Sequence, residues 1–218
     1  MIKAVIFDLD GVIVSTDECH YLAWKAIADK ENIYFDRTIN ERLRGVSRRE
    51  SFEIILEKSS REYTETEKEK LCTDKNELYK RLILNLTPQN ILPGTIEVLN
   101  FLKENKIKTA IGSSSKNARM ILKQVGLEDA FNVISDGNNI VHSKPHPEVF
   151  VVAAKMLEIK PENCMVFEDA NSGIDAALSA GMISCGLGYA SDYVNANYSF
   201  KSLEDKNVIE VLKTLCGI

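Results

Sequence analysis

The run Ala4-Val5-Ile6-Phe7-Asp8-Leu9-Asp10-Gly11-Val12 sets two carboxylates at i and i+2 directly after four apolar residues. Such an apolar run reads as a strand buried in a sheet, and side chains two apart on an extended chain point the same way. Asp8 and Asp10 are therefore expected to look into one site at the carboxyl end of that strand, where open parallel sheets bind ligands. An Asx-type turn with both carboxylates in solvent fits the same spacing, since turns favour Asp and Gly. Later segments decide between the two.

Working outward from this run, the next stretch up to about Leu86 reads as helical almost throughout. Trp24, Ile27 and Ala28 keep i, i+3, i+4 spacing, as do Phe52, Ile55 and Leu56, and a third stripe runs Leu71, Lys75, Leu78, Leu82. Beyond Pro88 the pattern alternates. Strands are expected at Lys108–Gly112, Val133–Ser135, Cys164–Phe167 and Ser184–Leu187. Helices between and after them carry Val98, Leu99 and Leu102; Ala118, Ile121, Leu122 and Val125; Phe150, Ala153, Ala154 and Leu157; Gly173 to Ala180; and Val208, Val211, Leu212 and Leu215. Strands alternating with helices predict an α/β fold, a parallel sheet covered on both faces, with the helical block inserted after the first strand.

A chain of 218 residues supports a sizeable core. Its net charge of −5 and lack of a basic stripe argue against nucleic acid as the main partner. Five scattered cysteines without C-x-x-C spacing point to reduced thiols rather than to disulfides or a zinc site. Neither a secretory leader nor a run long enough to span a bilayer is visible, so a cytoplasmic protein with no membrane partner is expected. A monomer is the expected state.

Each of four segments follows a strand and so falls at one edge of the sheet: Asp8 and Asp10, Ser113-Ser114-Ser115, Lys144, and Glu168-Asp169. Ser113 follows Gly112 and precedes a helix, so it is either an ordinary N-cap or part of an anion site at a helix N-terminus. Lys144 stands before Pro145 and Pro147, which restrict the backbone around its ammonium. Glu168-Asp169 ends an apolar strand, where paired acids fit either a hard divalent cation with oxygen ligands or a solvated loop. Together these parts describe phosphoryl transfer to a carboxylate. An aspartate needs no base to become a nucleophile, but an anion attacking a phosphate requires cations and N–H dipoles around the moving group.

Asp8-Leu9-Asp10-Gly11-Val12, the strand-end Ser113, Lys144-Pro145 and Glu168-Asp169 resemble, in order, the four motifs of the haloacid dehalogenase superfamily, and the resemblance covers nearly the whole chain. Within it, Thr16-Asp17-Glu18-Cys19-His20, Ala23-Trp24, Arg44-Gly45-Val46-Ser47-Arg48, Lys75-Asn76 and Ser113-Ser114-Ser115-Lys116-Asn117 are similar to the β-sugar-phosphate mutases of that superfamily. The resemblance implies a Rossmann-like core of residues 1–14 and 88–218 with an inserted α-helical cap of residues 15–87. It implies Asp8 as nucleophile, Asp10 as general acid and base, and Ser113 and Lys144 as further catalytic residues. One Mg²⁺ would be bound by Asp8, the Asp10 carbonyl, Glu168 and Asp169. Thr16, His20, Trp24, Arg44, Gly45, Val46, Arg48, Lys75, Ser115 and Asn117 are implied to bind substrate. The implied reaction interconverts β-glucose 1-phosphate and glucose 6-phosphate through β-glucose 1,6-bisphosphate, which also serves as primer.

The helical block carries readings of its own. Thr16, His20 and Trp24 recur every four residues and share one helical stripe, facing either the cleft or a structural interior. Lys75 stands at the i+4 place of a leucine stripe, either as a snorkelling stem or as a group that reaches Asp10 with His20. Arg48 follows a glycine-containing loop and carries the planar fork suited to phosphate. Two departures from the family pattern stand out: Ala170-Asn171-Ser172 where a serine usually follows the acids, and Ser15 in place of an acid. A sugar-phosphate phosphatase would use the same catalytic set, with water as acceptor. A phospho-acceptor receiver module has no use for a helical insertion of about seventy residues. A metal-free dehalogenase is disfavoured by Asp10 and Glu168-Asp169.

Overall fold

The computed structural model describes residues Met1–Ile218. Six parallel strands form one sheet: β1 (Ala4–Phe7), β2 (Lys108–Gly112), β3 (Val133–Ser135), β4 (Cys164–Glu168), β5 (Ile183–Leu187) and β6 (Tyr198–Phe200). Their spatial order is β3-β2-β1-β4-β5-β6, with Phe7 in register with Ile111 on one side and Phe167 on the other. The chain order reverses on either side of β1, so the crevice beyond its carboxyl end is the topological switch point.

Period-two alternation sends the two sides of each strand into different cores. Val5, Phe7, Ile111, Met165 and Phe167 join one hydrophobic cluster with α5 (Thr95–Glu104), α6 (Ala118–Gln124) and α9 (Lys206–Cys216). Ala4, Ile6, Ala110, Cys164 and Val166 join the other, with α7 (Glu148–Leu157) and α8 (Asn171–Ser179). Phe7 and Phe167 stack with ring centroids 5.4 Å apart, which stiffens the sheet directly beneath the strand ends.

Between β1 and β2 lie α1 (Asp17–Lys30), α2 (Arg37–Glu41), α3 (Arg48–Leu56) and α4 (Glu65–Ile83). The starts of α3 and α4 are both set by capping boxes, Ser47 with Glu50 and Thr64 with Glu67, which satisfy two orphan N–H groups at each end. Trp24, Ile27, Phe52, Ile55 and Leu71 form a third cluster inside this block, with Trp24 stacked on Phe52 at 5.6 Å. The two passages joining block and sheet run side by side: the Leu92 N–H donates to Ile13 O at 2.9 Å and the Ser15 N–H to Asn90 O at 3.1 Å.

Three features differ from the sequence reading. The edge strand β6 was not expected; its Tyr-Ser-Phe alternation is only three residues long, too short to stand out, although Tyr198 and Phe200 pack half-buried against the first cluster. On α4 the fully buried stripe is Leu71, Lys75, Tyr79, Ile83, while Leu78 and Leu82 are half-buried against the clusters alongside. Ser113 does not begin a helix. Its hydroxyl accepts the Ser115 N–H and the Ser115 hydroxyl accepts the Asn117 N–H, so these serines hold a turn and α6 starts only at Ala118. No helix is long and apolar enough to cross a membrane.

Candidate active site

Asp8 emerges from β1 with its N–H donating to Phe167 O at 2.9 Å, which carries the ladder one residue past the strand and fixes the direction of the carboxylate. Lys144 reaches it from the loop before α7. Its ammonium donates to Asp8 Oδ1 and Glu168 Oε1, both at 2.5 Å, with the lysine only 4 % exposed. Two opposite charges hold the ammonium ionised and push its pKa above the ordinary lysine value against the pull of burial. The Ala170 N–H donates to the other Glu168 oxygen at 2.7 Å, so this carboxylate is tied at both ends.

Asp8, Glu168 and Asp169 each offer a carboxylate oxygen, and these oxygens all lie within 4.8 Å of one another. Burial first, then Glu168 and Asp8, push the Asp169 carboxyl well above the usual carboxylate range. Burial also raises Asp8, with Glu168 and Asp10 adding to it and Lys144 opposing. Three buried carboxylates around one ammonium leave an uncompensated negative charge, and an all-oxygen donor set of this kind fits a hard divalent cation such as Mg²⁺. Gly11 keeps the neighbouring space open. Its φ is +81°, and a Cβ there would lie 2.1 Å from Asp169 Oδ2.

Asp10 accepts a short hydrogen bond from the Thr16 hydroxyl. Burial raises its carboxyl to about 6, with the Thr16 bond opposing, so it holds or gives up a proton near neutral pH. On the block's side, Lys75 is buried beside His20, Nζ to Nδ1 3.0 Å, and its ammonium faces the rings of Tyr79 at 4.5 Å and Trp24 at 5.2 Å. Burial, reinforced by Arg48, depresses Lys75 to about 7. Burial and then Lys75 lower His20 well below its usual value, which favours the neutral imidazole.

At the far end, Arg48 Nη2 donates to Asn76 Oδ1 at 2.7 Å, and Asn117 Nδ2 from the sheet side donates to the same oxygen at 3.0 Å. Arg44 points elsewhere. It makes a two-point ion pair with Asp17, at 2.9 and 2.5 Å, and lies 3.5 Å from Asp169 Oδ2.

One cleft of about 810 Å³ between the helical block and the sheet edge is lined by most of these side chains, with Thr16 and Asn76 set behind its wall. Of the residues expected from the sequence, Asp8, Asp10, Ser113, Lys144, Glu168 and Asp169 line it from the sheet side with Ser115 and Asn117. His20, Trp24, Arg44, Gly45, Val46, Arg48 and Lys75 line it from the helical block. Thr16 does not line it; it is 1 % exposed and turned toward Asp10. Trp24 shows the cleft little surface, being 2 % exposed and stacked on Phe52. The sequence reading assigned no place here to Asn76, Asp17 or Tyr79. Asn76 adjoins Lys75 and Tyr79 follows it at i+4, so helical spacing held the signal for both; Asp17 needed the fold.

Residues 2–181 match the model of the haloacid dehalogenase-like hydrolases. The chain is 45% identical over 205 residues to a β-phosphoglucomutase of Bacillus subtilis (strain 168), covering 93% of this chain and 91% of that protein. It is 32% identical to a phosphorylated carbohydrates phosphatase of Thermotoga maritima, covering 83% and 82%. The crystal structure of a β-phosphoglucomutase from Clostridium difficile superposes with a TM-score of 0.91 at 40% identity, over 100% of this chain and 98% of that one.

Proposed function

The chain belongs to the haloacid dehalogenase-like hydrolase family, and from that premise we propose that it is a Mg²⁺-dependent mutase interconverting β-glucose 1-phosphate and glucose 6-phosphate. One observation carries the reading: a single cleft joins a charged carboxylate centre at one end to Arg48 and Asn117 at the other, both held by the Asn76 side-chain oxygen behind them. A bisphosphorylated sugar needs both ends at once. One phosphate reacts while the other is held, and a guanidinium is the side chain best shaped to hold it.

In the proposed reaction Asp8 attacks a phosphoryl group of β-glucose 1,6-bisphosphate. The bond from phosphorus to the sugar oxygen breaks, and Asp10 gives its proton to that oxygen. When the 1-phosphate is the group taken, glucose 6-phosphate leaves and β-glucose 1-phosphate enters with its 6-hydroxyl facing phosphorylated Asp8. Asp10 takes the hydroxyl proton as the sugar oxygen bonds to phosphorus, Asp8 is released, and the bisphosphate so formed turns round to offer its 1-phosphate in the next cycle. Lys144 holds Asp8 Oδ1 throughout and offsets charge on the moving group, with the Ser113 hydroxyl oriented by its bond from Ser115. Bound Mg²⁺, held by Asp8, Glu168, Asp169 and the Asp10 carbonyl, supplies the Lewis-acid charge that lets an anion approach a phosphate. Residues 15–87 act as a cap that excludes water from the phosphorylated carboxylate, and His20 with Lys75 orients Asp10 from above.

The test is to incubate pure protein with β-glucose 1-phosphate, Mg²⁺ and the bisphosphate primer while following glucose 6-phosphate and inorganic phosphate together. Glucose 6-phosphate is the expected main product. Phosphate release without it rejects the mutase reading in favour of a phosphatase.

A further inference from the structure

Tyr189 sits in a 3₁₀ turn after β5, Gly188–Asp192, with 61 % of its surface exposed. An exposed ring of this size is left without a reason by the fold itself. The reason lies across the cleft mouth: the Arg44 guanidinium of the helical block lies over the ring, 4.1 Å from its centroid. The same guanidinium bridges Asp17, at the start of α1, and Asp169 in the carboxylate centre. Its neighbour Gly45, at φ +70°, brings the backbone so close to the start of α8 that a Cβ would lie 2.6 Å from Ser172 Oγ and 2.8 Å from the Ala170 Cβ. Block and sheet therefore meet here through Arg44 and Gly45 on one side and Asp169, Ala170, Ser172 and Tyr189 on the other. Ser172, the hydroxyl displaced from its usual place after the acids, faces the incoming loop.

We propose that Tyr189 is a positioning residue that seats the closed cap, holding Arg44 over the sheet edge and so setting how the phosphoryl group on Asp8 divides between a sugar hydroxyl and water. This rests on the mutase reading. In both fates the bond from phosphorus to the Asp8 oxygen breaks and Asp10 takes the acceptor's proton; the new bond goes to the sugar oxygen in one and to water in the other, releasing inorganic phosphate. An exposed cation–π contact changes the ratio of closed to open cap by about two- to five-fold.

The experiment compares Tyr189→Ala and Tyr189→Phe with the unaltered protein, supplied with β-glucose 1-phosphate, Mg²⁺ and β-glucose 1,6-bisphosphate. Inorganic phosphate and glucose 6-phosphate are counted together, and amide hydrogen exchange is followed over residues 43–47. In Tyr189→Ala the ratio of phosphate to glucose 6-phosphate rises about two- to five-fold and exchange at 43–47 quickens by a similar factor. Tyr189→Phe keeps the ring and returns both to their starting values. Unchanged exchange in Tyr189→Ala overturns the clasp, as does an unchanged ratio in a protein that makes glucose 6-phosphate. If the unaltered protein makes none, the mutase reading fails, and exchange alone decides whether Tyr189 seats the cap.

Discussion

Replacing Lys75 by Met keeps the packed stem and removes the charge, and the structure sets the size and sign of the result. The ammonium is buried against His20, Tyr79 and Trp24, and is held at about 7 against an ordinary 10.5. At about 1.36 kcal/mol per pH unit that displacement amounts to a ceiling of about 5 kcal/mol, and relaxation with water entry leaves about 2 kcal/mol as the realistic cost of the charge at pH 7. Lys75→Met is therefore expected to unfold at higher urea, by about 2 kcal/mol, without any change in the denaturant slope. The pH dependence supplies the sharper arm. Because the folded value lies below the unfolded one, the unfolded chain binds more protons between about pH 7 and 10.5, so this group makes stability climb with pH across that window. The Met variant loses that climb. On the proposed mechanism turnover falls as well, because Lys75 is the partner through which His20 would orient Asp10, and stability gained with activity lost is the mark of a functional group tolerated in a core. A variant that is less stable at pH 7, or one that keeps the same climb, refutes the reasoning.

Two further outcomes follow from the carboxylate centre. Asp8→Asn lowers kcat by at least about 10³-fold, because an amide does not attack phosphorus, while circular dichroism and the urea midpoint stay near those of the parent; clean residual turnover removes Asp8 from its role. Gly11→Ala forces a side chain into φ +81° and its Cβ onto Asp169 Oδ2. The half-saturating Mg²⁺ concentration for activity rises at least about ten-fold, and the backbone strain costs about 1–2 kcal/mol in unfolding; an unaltered Mg²⁺ dependence argues against Asp169 as a ligand.

What the sequence made legible was whatever local periodicity encodes. Ala4 to Asp10 announce a strand end with two acids on one side, and Cys164 to Asp169 end the neighbouring strand in two adjacent acids. Helical stripes located the inserted block because its interior is apolar, although Leu78 and Leu82 drew attention from Tyr79 and Ile83, which are the fully buried residues. The rest depends on chain segments that meet only after folding. Arg44, which the resemblance implies as a substrate contact, lines the cleft; that its guanidinium also meets Asp17, Asp169 and Tyr189 was not legible, since the last of these comes from a turn far along the chain. Ser113 looked like a helix start, but its hydroxyl captures a backbone N–H and delays the helix. Hydroxyl groups that compete with the helix for backbone donors leave no trace in hydrophobic spacing.

The paired passages at Ile13–Ser15 and Asn90–Leu92 have a consequence for how this architecture changes over time. Chain enters and leaves the helical block through two segments already hydrogen-bonded to each other, at 2.9 and 3.1 Å. A tight turn can bridge those ends in place of four helices, because closing so short a gap demands little entropy. Insertions and deletions between them can thus shrink or exchange the helical block while the sheet edge beneath keeps its backbone, which makes this doorway the natural place to graft a different selectivity onto an unchanged core.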